Sequence, residues 1–193
     1  MALFEQQIYK TVSQPSTYHD YHGLVLPCVT TVHLSCLTPS IQEANRPENR
    51  AKRPWIVTMG HRPMYCNTLD RDDCTHVYSM VRSGIPILHR YGLEDVFYKY
   101  GVDVEFWAHE HNYQRFFPLY NRQVYNGSIE HPYTNPKAPI HIISGSAGCQ
   151  EDTDKFKLRK DPWIAFRSSD YGYARMTVYN ATHLHLQQVS DDK

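Results

Sequence analysis

Two mainly apolar runs, each ending in histidine, organise the reading of this chain. Trp55-Ile56-Val57-Thr58-Met59 leads into Gly60-His61, and Val102-Asp103-Val104-Glu105-Phe106-Trp107 leads into Ala108-His109-Glu110-His111. Runs of this length suit strands covered on both faces. Between them, residues 88–100 place Leu88, Tyr91, Val96 and Tyr100 on roughly one helical face. Strand, helix and strand predict a βαβ unit, whose parallel strands deliver their C-terminal ends to one edge. Ligands of open α/β sheets bind at that edge. His61, His109 and His111 would meet there, although 48 and 50 residues separate the first from the other two.

The remaining pattern fills in around this unit. Pro139-Ile140-His141-Ile142-Ile143-Ser144-Gly145 reads as a third strand ending in the small-residue loop 145–148. Residues 115–120 and 123–125 predict a hairpin with Asn121-Arg122 in its turn. Residues 173–179 and 183–189 alternate on either side of Asn180-Ala181-Thr182, which predicts a C-terminal antiparallel hairpin. Residues 40–52 look like a helix end with a polar tail containing Pro47, 75–83 is a weak segment, and 150–168 reads as a long charged loop anchored by Trp163. Prolines 15, 27 and 39 interrupt the first 40 residues, which show no period. The chain therefore divides into an unassigned stretch, 1–40, and a folded body, 41–193.

Composition narrows the partners. The 193 residues suit one domain, and the 20 basic side chains balance 20 acidic ones, so no net field recommends nucleic acid or an anionic membrane. No apolar run approaches the roughly 20 residues of a membrane span. Cys66 and Cys74 flank a short polar loop and could close a small ring, leaving Cys28, Cys36 and Cys149 over. Asn126-Gly127-Ser128 and Asn180-Ala181-Thr182 match the glycosylation acceptor pattern, which with the ring leans towards a secretory origin. The start, Met1-Ala2-Leu3-Phe4-Glu5-Gln6-Gln7, lacks the pattern of a signal peptide.

Two histidines at i and i+2 on a strand would point to opposite faces. To share a site they must lie in the turn beyond the strand, where the backbone can curl and offer one imidazole to each of two neighbouring metals. Imidazole suits zinc, iron and copper rather than magnesium or calcium. The competing reading is that a chain with 12 histidines has many in loops that bind nothing. His141, His183 and His185 fit that second reading, on the solvent side of alternating strands. Other chemistries are poorly supported. Gly145-Ser146-Ala147-Gly148-Cys149 lacks the Lys-Ser/Thr ending of a phosphate-cradling loop, no nucleophile elbow surrounds Ser144 or Ser146, and Cys149 with His109 makes a weak case for a thiol nucleophile.

Longer motifs carry more than the spacing. Trp55-Ile56-Val57-Thr58-Met59-Gly60-His61-Arg62-Pro63-Met64-Tyr65-Cys66 and Trp107-Ala108-His109-Glu110-His111-Asn112-Tyr113-Gln114-Arg115 resemble the fourth and fifth motifs of purple acid phosphatases, the latter in its animal form. Pro132-Tyr133-Thr134-Asn135-Pro136, the stretch from His141 to Cys149, and Gln187-Gln188-Val189-Ser190-Asp191-Asp192 are similar to that family too. The resemblance runs from about Gln42 to Lys193.

It implies an α/β fold, part of a metallophosphoesterase-type αββα sandwich. It also implies a dinuclear centre of iron beside zinc, manganese or a second iron that hydrolyses phosphate monoesters at acid pH. By motif, His61 and His109 would bind the divalent metal and His111 the ferric ion, and the family would place the chain in the secretory pathway. The family's first three motifs, which supply a bridging aspartate and a tyrosine among other ligands, are not visible before residue 55. Asp20-Tyr21-His22-Gly23 has the wrong spacing for them. The expectation is thus a phosphatase hydrolase impaired by loss of those motifs, or a non-catalytic fragment acting at most as a binding or interfering partner. Residues 1–40 would be unrelated sequence joined to the second half of the domain, and the C-terminus would stop early.

Overall fold

The computed structural model describes residues 3–9, 24–27, 34–85, 87 and 90–191. Along the chain come β1 (Leu3–Tyr9), β2 (Leu24–Pro27), α1 (Leu34–Ala44), α2 (Pro47–Lys52) and β3 (Ile56–Gly60). A 3-10 turn at Asp73–Thr75 precedes α3 (Met80–Ser83), β4 (Gly84–Ile85), β5 (Arg90–Tyr91), α4 (Glu94–Lys99) and β6 (Val104–Trp107). Then follow β7 (Tyr113–Phe116), β8 (Leu119–Tyr120), β9 (Gln123–Val124), β10 (Ile140–Ser144), β11 (Ile164–Ser168), β12 (Gly172–Val178) and β13 (His183–Ser190).

Six strands form the main sheet in the order β11-β7-β10-β6-β3-β2. Its β2, β3, β6 and β10 run parallel, and β7 lies antiparallel to both β10 and β11. A second, antiparallel sheet has the order β1-β13-β12.

Period-two alternation sorts the side chains of the main sheet into two cores. Ile56, Trp107, Phe116 and Ile143 face α1 and α4, where Leu37, Ile41, Ala44 and Phe97 cover them. Val57, Val104, Tyr113, Ile140 and Ile142 face the second sheet and meet Leu184 and Leu186. Helices, mixed sheet and second sheet are therefore stacked layers, a partial αββα sandwich. Phe97, Phe116, Ile140, Ile142 and Ile143 have no exposed surface, and burying each stabilises the fold by about 1.5–3 kcal/mol. The expected βαβ unit is present, since β3 and β6 are parallel neighbours.

Several expectations are corrected. The helix expected over 88–100 is confined to Glu94–Lys99, because β4 and β5 pair before it and Gly92 interrupts the run. Its anchor is Phe97 rather than the face expected from periodicity; Leu88 lies outside the described residues. Arg115 and Phe116 belong to β7 in the main sheet, which shortens the expected hairpin to β8 and β9. Its turn residues Asn121 (φ 46°) and Arg122 (φ 60°) are both left-handed, the backbone of a type I′ connection. Pro47 opens a separate helix, α2, instead of sitting in a polar tail, as suits proline at a first helical position. The loop expected over 150–168 contains β11, with buried Trp163 just before it.

His141 and His185 are buried, not on the solvent side. β10 lies inside the main sheet with both faces covered, and Glu105 on neighbouring β6 places a carboxylate oxygen 3.0 Å from His141 Nδ1. His185 lies on the central strand of the second sheet, stacked on Tyr179.

Candidate metal centre

The register of β3 against β6 sets the two histidine motifs side by side. Gly60 pairs with Trp107, and immediately beyond, the Ala108 N–H donates to the His61 carbonyl at 3.1 Å. This close approach needs glycine, because a Cβ at position 60 would lie 2.3 Å from Trp107 Cζ3. Past Ala108 the strand breaks: His109 has φ 64°, and successive N–H groups donate two residues back, Glu110 to Ala108 (2.7 Å) and Asn112 to Glu110 (2.8 Å). A left-handed residue other than glycine costs on the order of 1–3 kcal/mol and persists only where its surroundings over-determine it. Here it undoes the strand alternation that would otherwise send His109 and His111 to opposite faces.

His61 Nε2 and His109 Nδ1 face each other at 3.0 Å, with the rings edge to face. Two imidazole nitrogens this close require a proton or a cation between them. Metal–nitrogen bonds of about 2.0–2.1 Å, meeting at right to tetrahedral angles, place two ligand nitrogens roughly 2.9–3.4 Å apart, so the pair fits one ion. Partial burial, with the neighbouring Arg62 cation and the adjacent His109 and His111 rings, pushes the His61 imidazole below its ordinary range, favouring the neutral form. On its far side, His109 Nε2 contacts the Asp72 carboxylate.

His111 is turned differently. Its Nδ1 lies 3.0 Å from Cys149 Sγ and 3.7 Å from Glu151 Oε2, while its backbone N–H donates to Asp154 Oδ2. The His111 ring lies near enough to His61 to disfavour protonation there. Cys149 meets His111, not His109 as the thiol reading supposed. Glu110, between the two histidines, is buried and accepts from Thr68 Oγ1. Burial pushes its carboxyl up to about 8, and the neighbouring Asp70 and Asp154 carboxylates push the same way, against the Thr68 hydrogen bond. Its backbone carbonyl leaves no room for a Cβ at Gly145, which would sit 2.1 Å away.

The donor set suits a nitrogen-loving divalent metal at His61 and His109. Among the described residues no acidic side chain groups with both His109 and His111, and Asp20-Tyr21-His22-Gly23 lies outside them. Sequence reading missed Asp72 and Asp154 as parts of this edge, while it had Glu110 inside the histidine motif and Cys149 beside His109 rather than His111. Of these, only the placement of Asp72 in the Cys66–Cys74 loop carried a signal, since the bonded cysteines (S–S 2.08 Å) restrict where it can lie. Cys28 and the Cys36 side chain lie outside the described residues. Asn180 is exposed at the β12–β13 turn, its Oδ1 accepting from the Thr182 N–H and hydroxyl, both at 2.8 Å. Asn126 is half-buried.

Residues 7–113 match the family described as calcineurin-like phosphoesterase, and 138–193 match iron/zinc purple acid phosphatase-like protein C. The chain belongs to the purple acid phosphatases. It is 60% identical over 164 residues to acid phosphatase type 7 of Danio rerio, covering 81% of this chain and 36% of that protein. Against acid phosphatase type 7 of Homo sapiens the identity is 58% over 157 residues, covering 81% and 35%. The chain thus spans about a third of the length of these relatives. The purple acid phosphatase PPD1 from yellow lupin (Lupinus luteus) seeds shares the fold, with TM-score 0.58 and 22% identity over 80% of this chain and 26% of that one. No described helix is long and apolar enough to cross a membrane.

Proposed function

We propose that this chain supplies the divalent-metal side of a phosphate monoesterase centre, with His61 and His109 as ligands of zinc or manganese and His111 as a ligand of an adjacent iron. The observation that carries this reading is the 3.0 Å approach of His61 Nε2 to His109 Nδ1 at the ends of two neighbouring parallel strands. When bound, such metals polarise phosphoryl oxygens and lower the pKa of water, the chemistry that phosphate ester hydrolysis needs. The chain's own contribution is to present unprotonated ring nitrogens, held by the β3–β6 register and the left-handed turn at His109. The Cys66–Cys74 bond and the acceptor triplets at Asn126 and Asn180 fit a secretory-pathway protein.

A second reading, a non-catalytic chain that acts as a binding or interfering partner, is favoured by one observation. Among the described residues no carboxylate groups with both His109 and His111 to bridge two ions, and unbridged cations repel. Elemental analysis of the purified chain for iron, zinc and manganese, followed by p-nitrophenyl phosphate hydrolysis at acid pH, separates the two. About two metals per chain with turnover supports the phosphatase; one metal or none, with no turnover above His109→Ala, supports the second reading. His109→Ala is expected to abolish divalent-metal binding, and unchanged metal content in that variant would remove the site assignment.

A further inference from the structure

We infer that Asp72 is a positioning residue for this centre: its carboxylate fixes the ring nitrogen that His109 offers to a metal. The inference rests on the proposed ligand role of His109. An imidazole has one nitrogen on each side, and His109 directs Nδ1 at His61 and Nε2 at Asp72 Oδ2. A carboxylate only accepts, so the Nε2 position carries the hydrogen and Nδ1 keeps its lone pair towards His61. Asp72 is therefore on the wrong side of the ring to share an ion held at Nδ1. It acts through the imidazole, in the manner of carboxylate–histidine–metal arrangements.

Asp72 is itself held from several sides. Arg62 Nη1 lies 2.9 Å from Oδ1 and 3.2 Å from Oδ2, and the Asp73 N–H donates to Oδ1 at 2.8 Å. Its own N–H donates to Asp70 Oδ1 at 3.0 Å, and its carbonyl accepts from the Thr75 hydroxyl at 2.7 Å. The Cys66–Cys74 bond closes the loop that carries all of this, and the loop's buried end, Cys74 Sγ, lies 3.1 Å from Glu110 Oε1. Asp72 is thus fixed within a disulfide-closed loop, and that loop is held against the turn carrying His109 by polar contacts. Arg62 follows His61 directly, so one cation links the loop to the first histidine as well.

The experiment uses the full chain and Zn²⁺ alone as the probe, with affinity read by chelator competition. Asp72→Asn retains a good cap for the 3-10 turn while removing the negative charge, and Asp72→Ala removes both. Zinc affinity is expected to fall by about 10-fold to 100-fold, more for alanine than for asparagine, and to recover partly in Asp72→Glu. Long-range ¹H–¹⁵N spectra of the metal-free chain should show His109 as the Nε2–H tautomer in the wild type and as a mixture in Asp72→Ala. Equal zinc affinity in wild type, Asp72→Asn and Asp72→Ala would overturn the inference, as would an Nδ1–H tautomer in the wild type. Wild type binding zinc no better than His109→Ala would instead defeat the proposed metal centre, while the metal-free tautomer would still decide the role of Asp72.

Discussion

Opening the Cys66–Cys74 bond should cost about 2.5 kcal/mol of stability, and the figure follows from the loop alone. The bonded residues are 8 apart in sequence. The chain-entropy relation gives a denatured-state restriction of roughly 8.5 cal/mol/K for such a loop, or about 2.5 kcal/mol at 25 °C. For a chain of this length, 1 kcal/mol corresponds to about 2–4 °C in Tm, so the midpoint should fall by about 5–10 °C. Cys66→Ala/Cys74→Ala is the cleaner perturbation. Serine at 74 would place a hydroxyl beside Glu110, whose Oε1 lies 3.1 Å from Cys74 Sγ, and add a hydrogen bond of its own.

Urea unfolding followed by the fluorescence of Trp55, Trp107 and Trp163 reads the change, because all three indoles are buried in the native state. Wild type reduced with dithiothreitol provides the second arm. If loop closure is the cause, reduction and double substitution lower stability alike, and the m-value rises or holds as the denatured chain expands. A loss confined to the substituted chain would assign the effect to packing around two buried sulfurs, and a loss below about 1 kcal/mol in both arms would refute the loop-closure account.

Three further outcomes are expected. Gly60→Ala drives a Cβ to 2.3 Å from Trp107 Cζ3, and Trp107 stacks on Phe97 at 6.5 Å, so overpacking should cost about 1–3 kcal/mol in urea unfolding; a neutral result would mean that β3 shifts freely against β6. Arg82→Met strands buried Glu94, whose Oε2 lies 2.8 Å from Arg82 Nη1, and should cost about 3–5 kcal/mol, where a loss under about 1 kcal/mol would show that Tyr65 and the Asn121 N–H suffice for that carboxylate. Burial alone would lower the His141 pKa, but the Glu105 carboxylate outweighs it and raises it above 6.5, while burial raises Glu105 itself. The folded chain therefore holds the His141 proton more tightly than the unfolded chain, so the His141 contribution is full below pH 6.5 and is lost as pH rises through its folded value. Tm should decline over that window in wild type and flatten in His141→Gln; a rise in wild type would reverse the sign.

The parts of the fold legible in the sequence are those whose pattern is set by their immediate neighbours. β3, β6 and β10 were readable because strands covered on both faces must be apolar for several residues running, and the C-terminal hairpin because it alternates. The residues that misled are those whose burial depends on a distant partner. His141 looks like a polar residue on an exposed face until β6 places Glu105 opposite it. Ile164-Ala165-Phe166 is too short to announce a strand against charged surroundings, and only pairing with β7 makes it one. Phe97 outweighs the helical face predicted around it because the contact that matters is with Trp107, ten residues further on and across the layer. At the candidate site, convergence of His61 and His109 followed from strand direction. The side of the ring that each presents did not, since Asp72 and Cys149 reach the histidines through loops that no local period constrains.

The turn from Ala108 to Asn112 concentrates features that a stable fold would ordinarily avoid. A left-handed histidine, a buried carboxyl pushed up to about 8 and two imidazole nitrogens at 3.0 Å all lie within it or touch it. None of these improves packing. Each is held by a contact from elsewhere: Thr68 on Glu110, Asp154 on the His111 N–H, Asp72 on His109, and the disulfide behind the loop that carries Thr68 and Asp72. Strain braced from so many independent directions is what the proposed metal centre would require of its supporting turn. A cation shared by His61 and His109 is the group that would relieve the approach of their nitrogens and favour the unprotonated ring forms. Binding of that ion should therefore raise Tm by more than its effect on His109→Ala, and equal shifts in the two chains would show that the strained turn serves some other purpose.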